Sequence, residues 1–239
     1  MTSQAISDLE VKSRAFAGEI GDLLSRTIGA EKQIMSVDLG DRFVVRPAGS
    51  NAKERRVPLM VGGEHLADLN LSLDQTLDRS SDHLKTVRSD LVVYSALDRT
   101  PLIRLEYQAD MRKDPVAHWQ IHAERGAFSH LLSIANAKDS RRVRRPHDIS
   151  TVHVPSGGER FRPCLEDLLE MLIRDCGVDY VPGWEQALEE GRMRWRVRQF
   201  RSSVRDLQSQ AAEVLEQQGW TVVPPLTLQK DRLEPYRRW

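Results

Sequence analysis

The chain has no apolar run near the roughly 20 residues needed to span a bilayer. Its first ten residues, MTSQAISDLE, offer neither a basic start nor an apolar stretch, so no secretory leader is expected. Cysteine is scarce: Cys164 and Cys176 alone. Two thiols build no disulfide framework, and along the helix expected there their spacing is too wide for a bridge. These absences predict a reduced, cytoplasmic protein with no membrane association. There is also no net charge, since 35 basic residues balance 35 acidic ones. That excludes a nucleic-acid binder driven by overall charge. No P-loop, dinucleotide glycine pattern, G-x-S-x-G elbow or paired C-x-x-C occurs, and no cofactor or metal is expected. Repeats and low-complexity segments are missing too.

The 239 residues present are 40% hydrophobic, enough for one sizeable core with helical attachments. Ile6, Leu9, Phe16, Ile20 and Leu23 recur at helical steps, which predicts a helix over 3–28 within an N-terminal unit 1–30. Ser13 and Thr27 are weak positions in that stripe. Residues 31–182 read as a sheet core. "FVVRP", "RVPLMV" and "LADLNLSL" are short and separated by Gly/Asp/Asn turn signals. "DLVVYS" and "PLIRLEY" flank "ALDRT" as a hairpin, and "VAHWQIHA" and "ISTVHV" follow as strands. Pro163 suits the first position of a helix over 163–176, with Gly177 as its stop. Residues 183–219 predict one long helix. Met193, Val197, Phe200, Val204, Leu207, Ala211 and Val214 alternate four- and three-residue steps, a heptad seam. This seam should pack on the N-terminal helix or form a homodimer or partner interface, with Met193, Val197, Phe200, Val204 and Leu207 in contact. Residues 220–239 are a proline-interrupted, extended tail. The fold class expected is α+β: a central antiparallel sheet flanked by one packed helix and two long terminal helices.

Charge is unevenly spread. Residues 164–191 carry eight acids against Arg174, and residues 192–205 carry six arginines and no acid. The simplest account has these two runs facing each other within the molecule.

The stretch "PVAHWQIHAERG" places His118 and His122 four residues apart. A zincin would need both on a helical face with a glutamate after the first, but Trp119 stands there. The alternation of Trp119 and Ile121 against His118, Gln120 and His122 is the period of a strand. On a strand the two imidazoles share a face about 13 Å apart, too far for one metal ion. If "PLIRLEY" is a neighbour, Arg104 and Glu106 join that face, and "ISTVHV" as a further neighbour is a candidate to add His153. His118 or His122 would then act as acid or base, Glu106 would orient an imidazole and Arg104 would clamp phosphate. Those groups suffice to cleave RNA without a metal. The alternative is a solvated polar sheet face. Arg141, Arg142, Arg144 and Arg145 form a basic loop that could touch nucleic-acid phosphates.

"HWQIHAERG" followed by "GGERFRPCLEDLLEMLI" resembles a family of uncharacterised bacterial proteins with an H-x-Q-x-H strand and a G-G-x-R-F-R-P-x-L-E-D helix start, over roughly residues 90–180. More loosely, the order of strands, histidine-bearing strand and acidic helix is similar to TumE-type toxin components. That resemblance implies a sheet-borne site and a cytoplasmic partner, and transfers no catalytic residue. Two functions remain open: a component of a bacterial toxin–antitoxin or phage-defence system acting as a metal-independent endoribonuclease, or a non-catalytic module binding a partner through the sheet face or the heptad helices.

Overall fold

A computed structural model describes residues 3–97, 101–122, 132–134, 136–137, 145, 148, 152–227 and 229–237. It begins with helix α1, Ser3–Ile28. The strands follow as β1 (Ile34–Asp38), β2 (Phe43–Pro47), β3 (Arg56–Val61), β4 (Glu64–Leu77), β5 (Leu84–Ser95), β6 (Pro101–Gln108), β7 (Ala117–Ile121) and β8 (Val154–Pro155). Helices close the chain: α2 (Gly158–Phe161), α3 (Leu165–Arg174), α4 (Trp184–Asp206), α5 (Gln208–Gln217) and α6 (Glu234–Arg237). The strands form one antiparallel sheet in the order β1-β2-β4-β5-β6-β7-β8, with β3 also paired to β4. The fold is α+β, as the alternation and turn signals predict.

The long strand β4 organises the sheet. Its first half pairs with β3 and its second half with β2 on the same edge, while β5 runs along the other edge. The β3–β4 hairpin closes on Gly62–Gly63, with φ of 60° and 81°. Two left-handed residues make the tight turn whose twist matches the strands. Asp179 fastens this turn, accepting the Gly62 and Gly63 N–H groups at 2.9 and 2.8 Å.

One face of the sheet is apolar and covered by helices. Leu69, Leu71, Leu91, Val93 and Leu105 point into a core shared with Ile20 and Leu24 of α1 and with Leu168, Leu169 and Leu172 of α3. The weak positions of α1 are fully buried. Ser13 accepts the Ser36 hydroxyl at 2.7 Å, and Thr27 donates to the Leu23 carbonyl at 2.7 Å.

The junction into α3 explains the glycine–arginine motif in physical terms. Gly157 has φ 69°, and a Cβ there would collide with the Phe161 backbone. Arg160 reaches across to Asp206 at the end of α4, at 2.6 Å. Cys164 caps α3, with the Asp167 carboxylate accepting its backbone N–H at 3.0 Å, a capping box without Ser or Thr.

The expected helix over 183–219 is divided. Leu207 adopts φ −125°, ψ 58° and separates α4 from α5. The tail occupies the break: Arg232 N–H donates to the Asp206 carbonyl at 2.6 Å and Ser209 N–H to the Asp231 carboxylate at 3.0 Å. The tail is not uniformly extended, because it ends in α6. Of the two arrangements expected for the heptad residues, packing on α1 does not occur. The side of α4 that meets α1 carries Gly191, Arg194, Trp195 and Arg198, with Arg198 bidentate to Glu19 at 2.7 Å. Met193, Val197, Phe200 and Val204 point outward, with Met193 60% and Phe200 67% exposed. Leu207 lies at the break and is half-buried. The acidic and basic runs meet through ion pairs at the start of the basic run, where Arg192 binds Asp167 at 2.8 Å and also Glu170.

Candidate functional site

Strand parity puts Arg104, Glu106, His118 and Gln120 on the sheet face opposite the core. The register makes Glu106 the direct partner of His118, and Arg104 of Gln120. His122 follows β7 with the same parity, its backbone N–H held by the Leu102 carbonyl at 2.9 Å. The expected constellation therefore assembles.

It is not a solvated surface. His118 is 1% exposed and Gln120 is buried. The His118 Nδ1–H donates to the Pro115 carbonyl at 2.8 Å, and Nε2 faces the Glu106 carboxylate at 3.4 Å. Both ring nitrogens thus look at acceptors, an arrangement only the imidazolium fits. Burial disfavours that charged form, but Glu106 and Pro115 outweigh it and raise the His118 pKa. Reciprocally, His118 holds the Glu106 carboxyl below its ordinary value despite burial. Arg104 Nη1 stands 3.8 Å from the other Glu106 oxygen. Asp90, opposite Glu106 on β5, is pushed up by burial and, less strongly, by the Glu106 charge.

His153 joins the site from the segment before β8. Its ring lies 4.6 Å from that of His118, edge to face. Its Nε2 accepts the Gln120 amide at 2.8 Å, and its Nδ1 faces Asp114 at 3.9 Å. His122 behaves differently from His118. It is half-buried, and burial followed by the Arg104 charge lowers its pKa, which favours its neutral form.

Arg104 Nε, Gln120 Oε1 and His122 Nε2 are buried atoms with no hydrogen-bond partner among the described residues, and His118 Nε2 has only its ion-pair contact with Glu106. Three orphaned polar atoms on one patch demand an explanation, since buried polar groups are ordinarily satisfied. Among the described residues no group of three His, Cys, Asp or Glu side chains could hold a metal ion.

The other expected features fare unevenly. Trp119 is half-buried against the core and Ile121 is 52% exposed, because β7 runs past the end of its partner β8. The strand expected from "ISTVHV" begins only at Val154, and Ile149 to Thr151 lie outside the described residues. Arg141, Arg142 and Arg144 also lie outside them. Arg145 is exposed, with Asp148 at 3.8 Å. Sequence reasoning passed over Asp90, Asp114 and Pro115. Alternation along "SDLVVYS" held the signal for Asp90. The others act from a loop, which has no period to read.

No protein-family model, no curated protein and no solved structure matches this chain. No helix among the described residues is long and apolar enough to cross a membrane.

Proposed function

We propose that this chain is a metal-independent endoribonuclease, acting as a component of a bacterial toxin–antitoxin or phage-defence system in the cytoplasm. The observation that carries this reading is the set of unpartnered polar atoms on Arg104, Gln120 and His122 beside the His118–Glu106 pair. Arg104 presents a guanidinium to a backbone phosphate. His122, neutral near physiological pH, takes the proton of the ribose 2′-hydroxyl. The 2′-oxygen then attacks phosphorus, the bond to the 5′-oxygen breaks, and that oxygen takes a proton from water. His118 is too enclosed to move protons to a substrate, so it serves as a positioning residue that fixes the Glu106 carboxylate. Glu106 in turn orients Arg104. The TumE-like order of elements agrees with this reading. RNA incubated with the protein in EDTA should yield fragments ending in 2′,3′-cyclic phosphate, and an RNA with 2′-deoxyribose at the cleaved position should resist. Fragments that appear only with added metal would refute the mechanism.

A second reading, a non-catalytic module that dimerises or binds a protein partner, is favoured by one observation. The apolar stripe Met193, Val197, Phe200 and Val204 has no cover on α4, and each such residue gains by finding a surface. Light scattering of the wild-type chain at micromolar concentration tests it: a dimer mass supports a self-interface, and a monomer mass excludes one.

A further inference from the structure

On the other face of the sheet, away from the histidines, a cavity of about 50 Å³ lies between α1, the sheet and α4, room for roughly four waters. Phe16 and Ile20 of α1, Leu73 and Leu91 of the sheet and Leu165 of α3 give it apolar walls. Into this space faces Arg162, the second arginine of the glycine–arginine motif. It is 7% exposed. Its guanidinium carbon lies over the rings of Tyr107, 3.8 Å from the ring centre, and Trp195, at 4.7 Å. It donates to the Glu159 carbonyl, and no carboxylate of the described residues forms an ion pair with it.

A buried charge without a counter-charge is costly, and several of the surrounding acids pair with other arginines. Glu159 pairs with Arg160 at 3.1 Å, and Asp206 with Arg160 and Arg232. At the cavity mouth Glu19 holds Arg198. Glu166 lies against Gly191 and the Cys164 thiol, and Arg194 also lines the cavity. The lining thus carries two carboxylates, Glu19 and Glu166, against three arginines, Arg162, Arg194 and Arg198, and so an excess of one positive charge. Stacking on the Tyr107 and Trp195 rings uses the faces of the guanidinium plane, whereas a planar carboxylate binds at its edge through two parallel hydrogen bonds.

We propose that this cavity binds a short-chain monocarboxylate, with the carboxylate on the edge of Arg162 and the aliphatic tail against Phe16, Ile20 and Leu91. The volume suits an acid of about four to six non-hydrogen atoms. Anything carrying an ammonium group beside its carboxylate lacks a partner at that end, and a phosphate brings more charge than one guanidinium balances.

Calorimetric titration of the full-length chain with sodium butyrate tests this, with Trp195 fluorescence as a second signal because the indole covers the arginine. One butyrate per chain should bind. Butanol, butylammonium and inorganic phosphate should bind at least ten-fold more weakly. Arg162→Met keeps the length of the side chain and removes the charge, so it should abolish binding. Should that variant fail to fold, Arg162→Lys, which keeps the charge and loses the planar edge, should weaken butyrate binding at least five-fold. Absence of butyrate binding at millimolar concentration, equal binding of butanol or phosphate, or undiminished binding in a folded Arg162 variant would overturn the proposal.

Discussion

At the scale of single residues, the His118–Glu106 pair makes stability depend on pH in a defined window. His118 is raised above its ordinary value near 6.5, so its contribution is complete below that pH and is lost as pH climbs through the folded value. Glu106 is depressed below its ordinary value near 4.5, so its contribution is complete above that pH and is lost as pH falls through the folded value. Both contributions are complete only between about pH 4.5 and 6.5. Thermal melts of the wild type and Glu106→Gln across pH 3.5–9 should differ most in that window and converge on either side. A constant difference would mean that the two groups do not titrate together. The cysteines give a second check at this scale. A thiol reagent should label one cysteine in the native protein and two in denaturant. Labelling of both in native conditions would show that the α3 cap opens readily.

At the scale of elements, two substitutions separate what each helix does. Gly157→Ala forces a Cβ onto the Phe161 backbone at a left-handed φ, so it should lower stability by about 2–3 kcal/mol, read from the urea midpoint. Phe200→Asp touches the outward stripe of α4. It should leave the melting temperature within about 2 °C, because the side chain is already in water. A large drop would show that the stripe is covered within the chain after all. The elements were readable in proportion to their periodicity. Helix α1 lies over the span its stripe predicts, and the β5–β6 hairpin forms where the turn signal lies. The first half of β5, Leu84–Ser89, escaped notice because "LKTVRS" is polar on both faces and gains its order by pairing along β4. The break at Leu207 was equally hidden. The heptad continues through it, but distant residues Asp231 and Arg232 cap the two helix ends. The regular spacing marked one apolar face of α4 and left its partner open; α1 is not that partner, since it packs on the side holding Gly191 and Trp195.

At the scale of the whole molecule, the sheet separates two chemistries. One face carries the core and the buried Arg162; the other carries Arg104, Glu106, His118, Gln120 and His122. Parity alone made that second set legible in the sequence, because alternate residues of paired strands must share a face. Burial was not legible. The near-complete enclosure of His118 comes from Pro115, His153 and Asp114, which the chain brings in from loops and from more than thirty positions away. In the proposed ribonuclease mechanism, that enclosure moves the proton-transfer role from His118 to His122. The most direct test of the account is therefore the rate of RNA cleavage in EDTA by the wild type, His122→Ala and His118→Gln, each checked for an unchanged melting transition. The account predicts at least a hundred-fold loss for His122→Ala and a much smaller, pH-dependent loss for His118→Gln. A His122→Ala protein that is folded and cleaves at the wild-type rate would contradict it.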